Sequence, residues 1–180
     1  MAWRMKYLFI DRDGTIIKDI PYNADPTLIE FMPEAIEGLR AFQTNGYEII
    51  IITNQAGIAL GKFTYSEYYE MEFALEALLA AKGIRVLCTL HCPHHPEGIN
   101  VYGKICKCRK PGAGMIEMYP ERIDSYMIGD RDTDIEAGKA AGCTSFKVTT
   151  RTSILDIANK IFTPKEQDVI KRKPGRPRKS

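Results

Sequence analysis

The sequence has no apolar run approaching the roughly 18 residues that a membrane-spanning helix needs. Its N-terminal apolar patch, within "MAWRMKYLFIDRDG", gives way to charge after a few residues. The longer apolar region and small-residue cleavage site of a secretory signal are missing, so a cytoplasmic location is expected. Histidine is scarce: there are three, all between positions 91 and 95. Cysteine is odd in number, five, with three of them in the stretch 91–111 beside those histidines. This distribution argues against a disulfide framework and for thiolate metal ligands in a reducing compartment. Acidic residues are absent from "KRKPGRPRKS" (171–180), which holds six of the 25 basic ones. The formal net charge of +2 therefore divides into a body at −4 and a basic end. With 180 residues, 44% hydrophobic and 27% charged, the chain suits one domain with a real core and is too short for two comfortable ones.

Strand-length apolar runs alternate with amphipathic stretches of helix length. "KYLFI" (6–10), "YEIIIITN" (47–54), "IRVLCTLH" (84–91), "SYMIGD" (125–130) and "CTSFKV" (143–148) read as strands. Helices are expected over 33–46, 64–83, 133–142 and 153–162, with a short one near 112–119. The first is bracketed by Pro33 and an Asn-Gly stop, and the second carries a capping box in Thr64 and Glu67. This order predicts an α/β fold: a Rossmann-like parallel sheet with helices on both faces. Ligands of such sheets bind beyond the carboxyl ends of the strands.

Polar residues gather at those ends. "FIDRDGT" (9–15) places Asp11 and Asp13 at i and i+2, with Gly14 to let the backbone turn close to a ligand and Thr15 as a donor. Thr53 and Asn54 end the second strand, and Asp130 the fourth, with Asp132 and Asp134 following. "CRKP" adds Arg109 and Lys110. Carboxylates converging from separate strands repel one another unless a cation is present, and oxygen-only ligands suit Mg²⁺. Taken singly, Asp11 and Asp13 also fit turn or cap roles. As an ordered set at strand ends they point to a metal-assisted reaction on a phosphate.

Cys92 and His94, then Cys106 and Cys108, form two i, i+2 pairs. Three cysteines and one histidine make a closed tetrahedral zinc site with no open position, hence a structural one. His95 is the alternative to His94. His91 reads as a packing or hydrogen-bonded histidine, and Cys88 and Cys143 as buried, inert thiols.

"DRDGT", "TN", "RKP" and "GDRDTD" resemble, in order, the four motifs of the haloacid dehalogenase superfamily of phosphohydrolases, over about residues 6–150. The resemblance implies Asp11 as nucleophile, Asp13 as acid and then base, and Thr53 and Lys110 on the transferring phosphoryl group. It implies Mg²⁺ on the Asp11 carboxylate, the Asp13 backbone carbonyl and Asp130, with Asp134 behind them. Superfamily members often carry a cap domain after the first or second motif. Here only 38 residues separate Gly14 from Thr53, and 56 separate Thr53 from Lys110. No cap fits, so loops must select the substrate.

"CPHHPEG…CKCRKPGAGM", with "DIPYNADP" (19–26), "TNQAGIALGKFT" (53–64) and "GDRDTDIEAGKAAGC" (129–143), is similar to the heptose 1,7-bisphosphate 7-phosphatases and their zinc loop. Histidinol-phosphate phosphatases share that loop and are the alternative. The family usually has arginine where this chain has Leu60. By the same resemblance Asn54, Gln55, Ala56, Arg109, Arg131, Asp19 and Tyr22 are candidate contacts to a sugar phosphate. Arg109 has the best physical case, as a planar fork beside the lysine.

The expected organisation is a phosphatase domain over 1–163, with a zinc loop at 91–109, and a basic tail over 164–180. The tail is expected to be disordered. Its Gly-Arg-Pro core resembles an AT-hook, opening a weak contact with A·T-rich DNA, or a role as a nucleic-acid-end phosphatase. A monomer acting on a small molecule, with no membrane contact, is otherwise expected.

Overall fold

The computed structural model describes residues 5–119, 122 and 124–163. Five strands form one parallel sheet: β1 Lys6–Ile10, β2 Tyr47–Asn54, β3 Val86–Cys92, β4 Tyr126–Gly129 and β5 Thr144–Lys147. Their order is β3-β2-β1-β4-β5, a Rossmann-like α/β arrangement. The helices are α1 Ala35–Thr44, α2 Ala56–Ala59, α3 Tyr65–Ala81, α4 Asp132–Ala140 and α5 Ile154–Phe162.

The strands read as continuous apolar runs because both faces of the sheet are covered. Leu8, Ile10, Ile49 and Ile51 point into a core with Leu39 and Phe42 of α1, Leu75 of α3 and Ile157 of α5. Their neighbours Phe9, Ile50 and Ile52 face the opposite side, against Ile116, Met127 and Ala137 of α4. Each such buried aliphatic side chain contributes about 1.5–3 kcal/mol relative to exposure.

The sheet reverses its winding at β1, which has β2 on one side and β4 on the other. Ile10 pairs with Ile51 and with Ile128, a register that sets Asp11 only one position short of the level of Thr53 and Asp130. Asp11, Thr53 and Asp130 therefore emerge together at the switch point, where such folds bind ligands.

Helix signals are borne out where caps marked them. Thr64 and Glu67 close their capping box on α3. The helix expected from Pro33 starts at Ala35, because Glu34 takes a left-handed conformation with φ 58°. The short helix expected near 112–119 is reduced to a 3₁₀ turn at Ile116–Met118. The cause is local: the amides of Gly112 and Gly114 donate to the carbonyls of Arg109 and Lys107, folding this segment back on the preceding loop. The four-residue α2 has no counterpart in the sequence expectations. The basic tail expected over 164–180 lies outside the described residues.

Candidate active site

The chain leaves β1 still bound to the sheet, with the Asp11 amide donating to the Ile128 carbonyl at 2.9 Å. It then turns tightly: the Ile16 amide reaches back to Arg12 O, and the Gly14 amide to Ile17 O. Gly14 has φ 82°, and a Cβ there would lie 2.5 Å from Oδ2 of Asp130. Glycine is needed on both counts.

Lys110 lies beneath this turn, 4% exposed. Its Nζ contacts Asp11 Oδ1 at 2.5 Å, Asp134 Oδ1 at 2.7 Å and the Ile52 carbonyl at 2.9 Å. Burial alone would lower the ammonium's pKa, yet the carboxylates of Asp11 and Asp134 overturn that and hold it above the usual lysine value. Asn54 fixes the lysine's backbone from both sides: its Nδ2 donates to Lys110 O and its Oδ1 accepts from Lys110 N, each at 3.1 Å.

Asp134, expected behind the metal ligands, spends Oδ1 on Lys110 and Oδ2 on the Arg131 amide at 3.0 Å. Asp13 accepts from Thr53 Oγ1 at 3.2 Å, from Gln55 Nε2 at 2.9 Å and from the Arg12 guanidinium. Thr53 and Gln55 are thus turned to Asp13, and Gln55 also donates to Thr53 Oγ1 at 2.8 Å.

These residues floor a cleft of about 260 Å³. Its walls include Asp19, Tyr22, Asn54, Ala56, Arg109 and Arg131, all singled out from the sequence. Arg131 is tied to Asp19 at 2.7 Å, and Tyr22 is exposed at the rim with φ 53°. Arg109 donates to the His94 carbonyl at 3.3 Å, joining the cysteine-rich loop to the cleft. The cleft also takes in Arg12, Phe63 and Thr133, given no role from the sequence, and His95, named there only as an alternative zinc ligand.

Among the described residues, two groups of side chains converge closely enough to hold a metal ion. The first is Asp11, Asp130 and Asp134, with ligand atoms within 4.8 Å of one another. Burial pushes the Asp11 carboxyl up to about 7; Lys110 opposes this, and Asp134 and Asp13 add to it. Asp130 is likewise raised, by burial and then by Asp134. Crowded acids under a glycine with no room for a Cβ fit a hard divalent cation, which would restore them as carboxylates.

The second group is Cys92, His94, Cys106 and Cys108. The three sulfurs lie 3.3–3.5 Å apart, and His94 Nδ1 lies 3.3 Å from Cys108 and 3.6 Å from Cys92. A tetrahedron with metal–sulfur bonds of about 2.3 Å has edges of about 3.8 Å. The observed separations are a few tenths of an ångström tighter than those edges, and the four side chains converge closely enough to hold such an ion. His95 is turned away, its Nδ1 accepting from the Glu97 amide at 3.2 Å. His91 is half-buried and packs among Tyr65, Tyr68 and Tyr69, and burial, then Arg12, lowers its pKa. Cys143 is buried, but Cys88 is only half-buried, its Sγ 3.0 Å from Tyr119 Oη.

A family model described as HAD-hydrolase-like matches residues 107–169. The D-glycero-alpha-D-manno-heptose-1,7-bisphosphate 7-phosphatase of Photorhabdus laumondii is 42% identical over 145 residues, spanning 77% of this chain and 79% of that protein. The corresponding beta-heptose enzyme of Salmonella typhi is 35% identical, covering 84% of each chain. The structure of D,D-heptose 1,7-bisphosphate phosphatase from B. bronchiseptica, complexed with magnesium and phosphate, superposes with a TM-score of 0.73. That match covers 87% of this chain and 98% of that one at 23% identity, a likeness of fold.

Proposed function

The chain belongs to the D-glycero-D-manno-heptose-1,7-bisphosphate 7-phosphatase family of haloacid dehalogenase-like hydrolases, and from that membership we propose that it removes the 7-phosphate of heptose 1,7-bisphosphate. The product is heptose 1-phosphate. One observation carries the reading: Asp11 and Asp13, from the turn after β1, and Lys110, 99 residues along the chain from Asp11, meet on the floor of one cleft.

In this reading the Asp11 carboxylate attacks phosphorus and forms an aspartyl-phosphate as the sugar–oxygen bond to phosphorus breaks. Asp13 gives its proton to the departing sugar oxygen, then takes one from the water that hydrolyses the intermediate. Lys110 offsets negative charge beside Asp11 without having to reorganise. Mg²⁺ would be held by Asp11, Asp130 and the Asp13 carbonyl, and when bound it neutralises charge on the transferring phosphoryl oxygens. Asp134 and Asn54 keep the lysine in place.

The four Cys/His ligands hold zinc, which ties the long loop after β3 and presents Arg109 to the cleft. The planar fork of Arg109 takes a second phosphate two oxygens at a time. Asp19, Tyr22, Gln55, Ala56 and Arg131 surround the sugar. The five free cysteines fit a cytoplasmic enzyme. No helix among the described residues is long and apolar enough to cross a membrane.

The test is phosphate release with Mg²⁺ from both anomers of heptose 1,7-bisphosphate, from histidinol phosphate and from 3′-phosphorylated A·T-rich DNA. One heptose bisphosphate anomer should be preferred over the other compounds. Equal, slow turnover of all of them would contradict the assignment.

A further inference from the structure

Arg12, between the two active-site aspartates, is 1% exposed. Its Nε lies 3.1 Å from Asp13 Oδ1 and 3.2 Å from Oδ2, and its Nη2 lies 3.0 Å from Oδ2. On its far side Nη1 contacts Glu72 Oε2 at 3.2 Å. Glu72 comes from the middle of α3 and is 6% exposed, and its other oxygen has no hydrogen-bond partner among the described residues. The guanidinium also lies over the Tyr68 ring, 5.9 Å from its centroid.

Burying an arginine between two acids is a poor way to gain stability, because desolvation offsets most of the attraction. The arrangement does fix geometry. A guanidinium is a rigid planar fork, so anchoring one edge on Glu72 orients the other edge. That second edge grips both oxygens of Asp13.

The donors around Asp13 are unevenly shared. Among the described residues, Oδ2 receives Arg12, Thr53 and Gln55, whereas Oδ1 receives only Arg12 Nε. A carboxylate oxygen accepts about two strong hydrogen bonds, so Oδ2 is saturated and Oδ1 is the atom able to carry a proton.

We propose that Arg12, anchored by Glu72, is a positioning residue that holds Asp13 with Oδ1 directed to protonate the leaving oxygen. This rests on Asp13 being the acid, as set out above. In the step concerned, the Asp11 oxygen–phosphorus bond forms, the phosphorus–alkoxide bond breaks, and the proton passes from Asp13 Oδ1 to the alkoxide. The Asp13 carboxylate so produced already faces Arg12. Orientation of this kind is what a held group offers over a freely rotating one.

The test is the dependence of kcat/KM on the leaving group, since kcat/KM reports only the steps through phosphoenzyme formation. A sugar phosphate expels a poor alkoxide that needs the acid; p-nitrophenyl phosphate expels a stable phenolate that does not. Arg12→Met should lower kcat/KM for the sugar phosphate about 100-fold more than for p-nitrophenyl phosphate. Because that variant strands the buried Glu72, Arg12→Met with Glu72→Met removes both ends of the pair, and should show the same bias with circular dichroism unchanged. Arg12→Lys keeps the charge but loses the fork, and should resemble Arg12→Met.

Equal losses on both substrates in the folded double variant would overturn the proposal, as would a wild-type ratio in Arg12→Lys. Asp13→Asn separates the layers. If it shows the bias and the Arg12 variants do not, only this inference fails. If Asp13→Asn shows no bias, the acid itself is wrongly assigned.

Discussion

The Nζ of Lys110 lies 2.5 Å from Oδ1 of Asp11, across 99 residues of chain, with both side chains almost wholly buried. The pair joins the turn after β1 to the end of the cysteine-rich loop. It makes the Asp11 carboxylate, the lysine and Asp134 one electrostatic unit.

Removing the lysine should therefore damage both chemistry and fold. Lys110→Met leaves Asp11 and Asp134 facing each other in the interior without a counter-charge. Breaking one partner of a buried pair costs about 3–5 kcal/mol. Losing a preorganised cation beside the reacting group should lower kcat about 100- to 1000-fold. Urea denaturation and steady-state kinetics at fixed Mg²⁺ measure the two effects. Wild-type kcat in a folded Lys110→Met protein would remove the lysine from the mechanism.

The acid cluster gives a pH dependence whose sign follows from Asp11. Its folded pKa, about 7, lies above the ordinary aspartate value of 3.8. In the metal-free protein the protonated form is favoured by folding. That contribution is full below about pH 4 and is lost as pH rises through about 7. A cation that binds the carboxylate must displace this proton. Apparent Mg²⁺ affinity should thus rise about tenfold per pH unit towards pH 7 and then level off. Calorimetric titration from pH 5 to 8 checks this, and a pH-independent affinity would contradict it.

Gly14 offers a test of the cation cradle that touches no ligand. Gly14→Ala places a methyl group 2.5 Å from Asp130 Oδ2 at a backbone φ of 82°. The Asp130 carboxylate has to move, and Mg²⁺ affinity should fall about 10- to 100-fold, the usual cost of disturbing a ligand's support. The same titration reads it. Unchanged affinity would mean that Asp130 is not a ligand.

Stripping zinc should cost activity through the loop rather than the chemistry. The protein should carry about one zinc per chain, bound through deprotonated thiols. A zinc-selective chelator should abolish turnover and lower Tm, with recovery on adding Zn²⁺ but not Mg²⁺. Full activity in the zinc-free protein would separate the cage from Arg109 and Lys110.

The strand ends were legible because a doubly covered parallel sheet writes itself as uninterrupted apolar runs, and Asp11, Thr53 and Asp130 close three of them. The convergence of Cys92, His94, Cys106 and Cys108 was legible from paired spacing, whereas only the structure shows the Nδ1 of His95 accepting from the Glu97 amide instead. The partner of Arg12 was not. Glu72 sits in a helix that is apolar on most sides, where one acid among several looks like solvent-facing charge. Only folding reveals that it is buried. "DRD" held the available hint, a cation between two acids. Nor could sequence reveal that Asn54 spends both amide atoms on the Lys110 backbone, since that bond closes a loop of 56 residues. The helix expected near 112–119 failed for a similar reason. Its glycine amides bond back to Arg109 and Lys107 in the preceding loop, a fold-back that helix propensity does not register.

The most direct test of the central claim is phosphate release from heptose 1,7-bisphosphate by the wild-type protein and by Asp11→Asn, each loaded with Mg²⁺ and zinc. The account predicts that the wild type releases the 7-phosphate and leaves heptose 1-phosphate. The variant should release none, while keeping its circular dichroism and its zinc. Wild-type turnover by folded Asp11→Asn would contradict it.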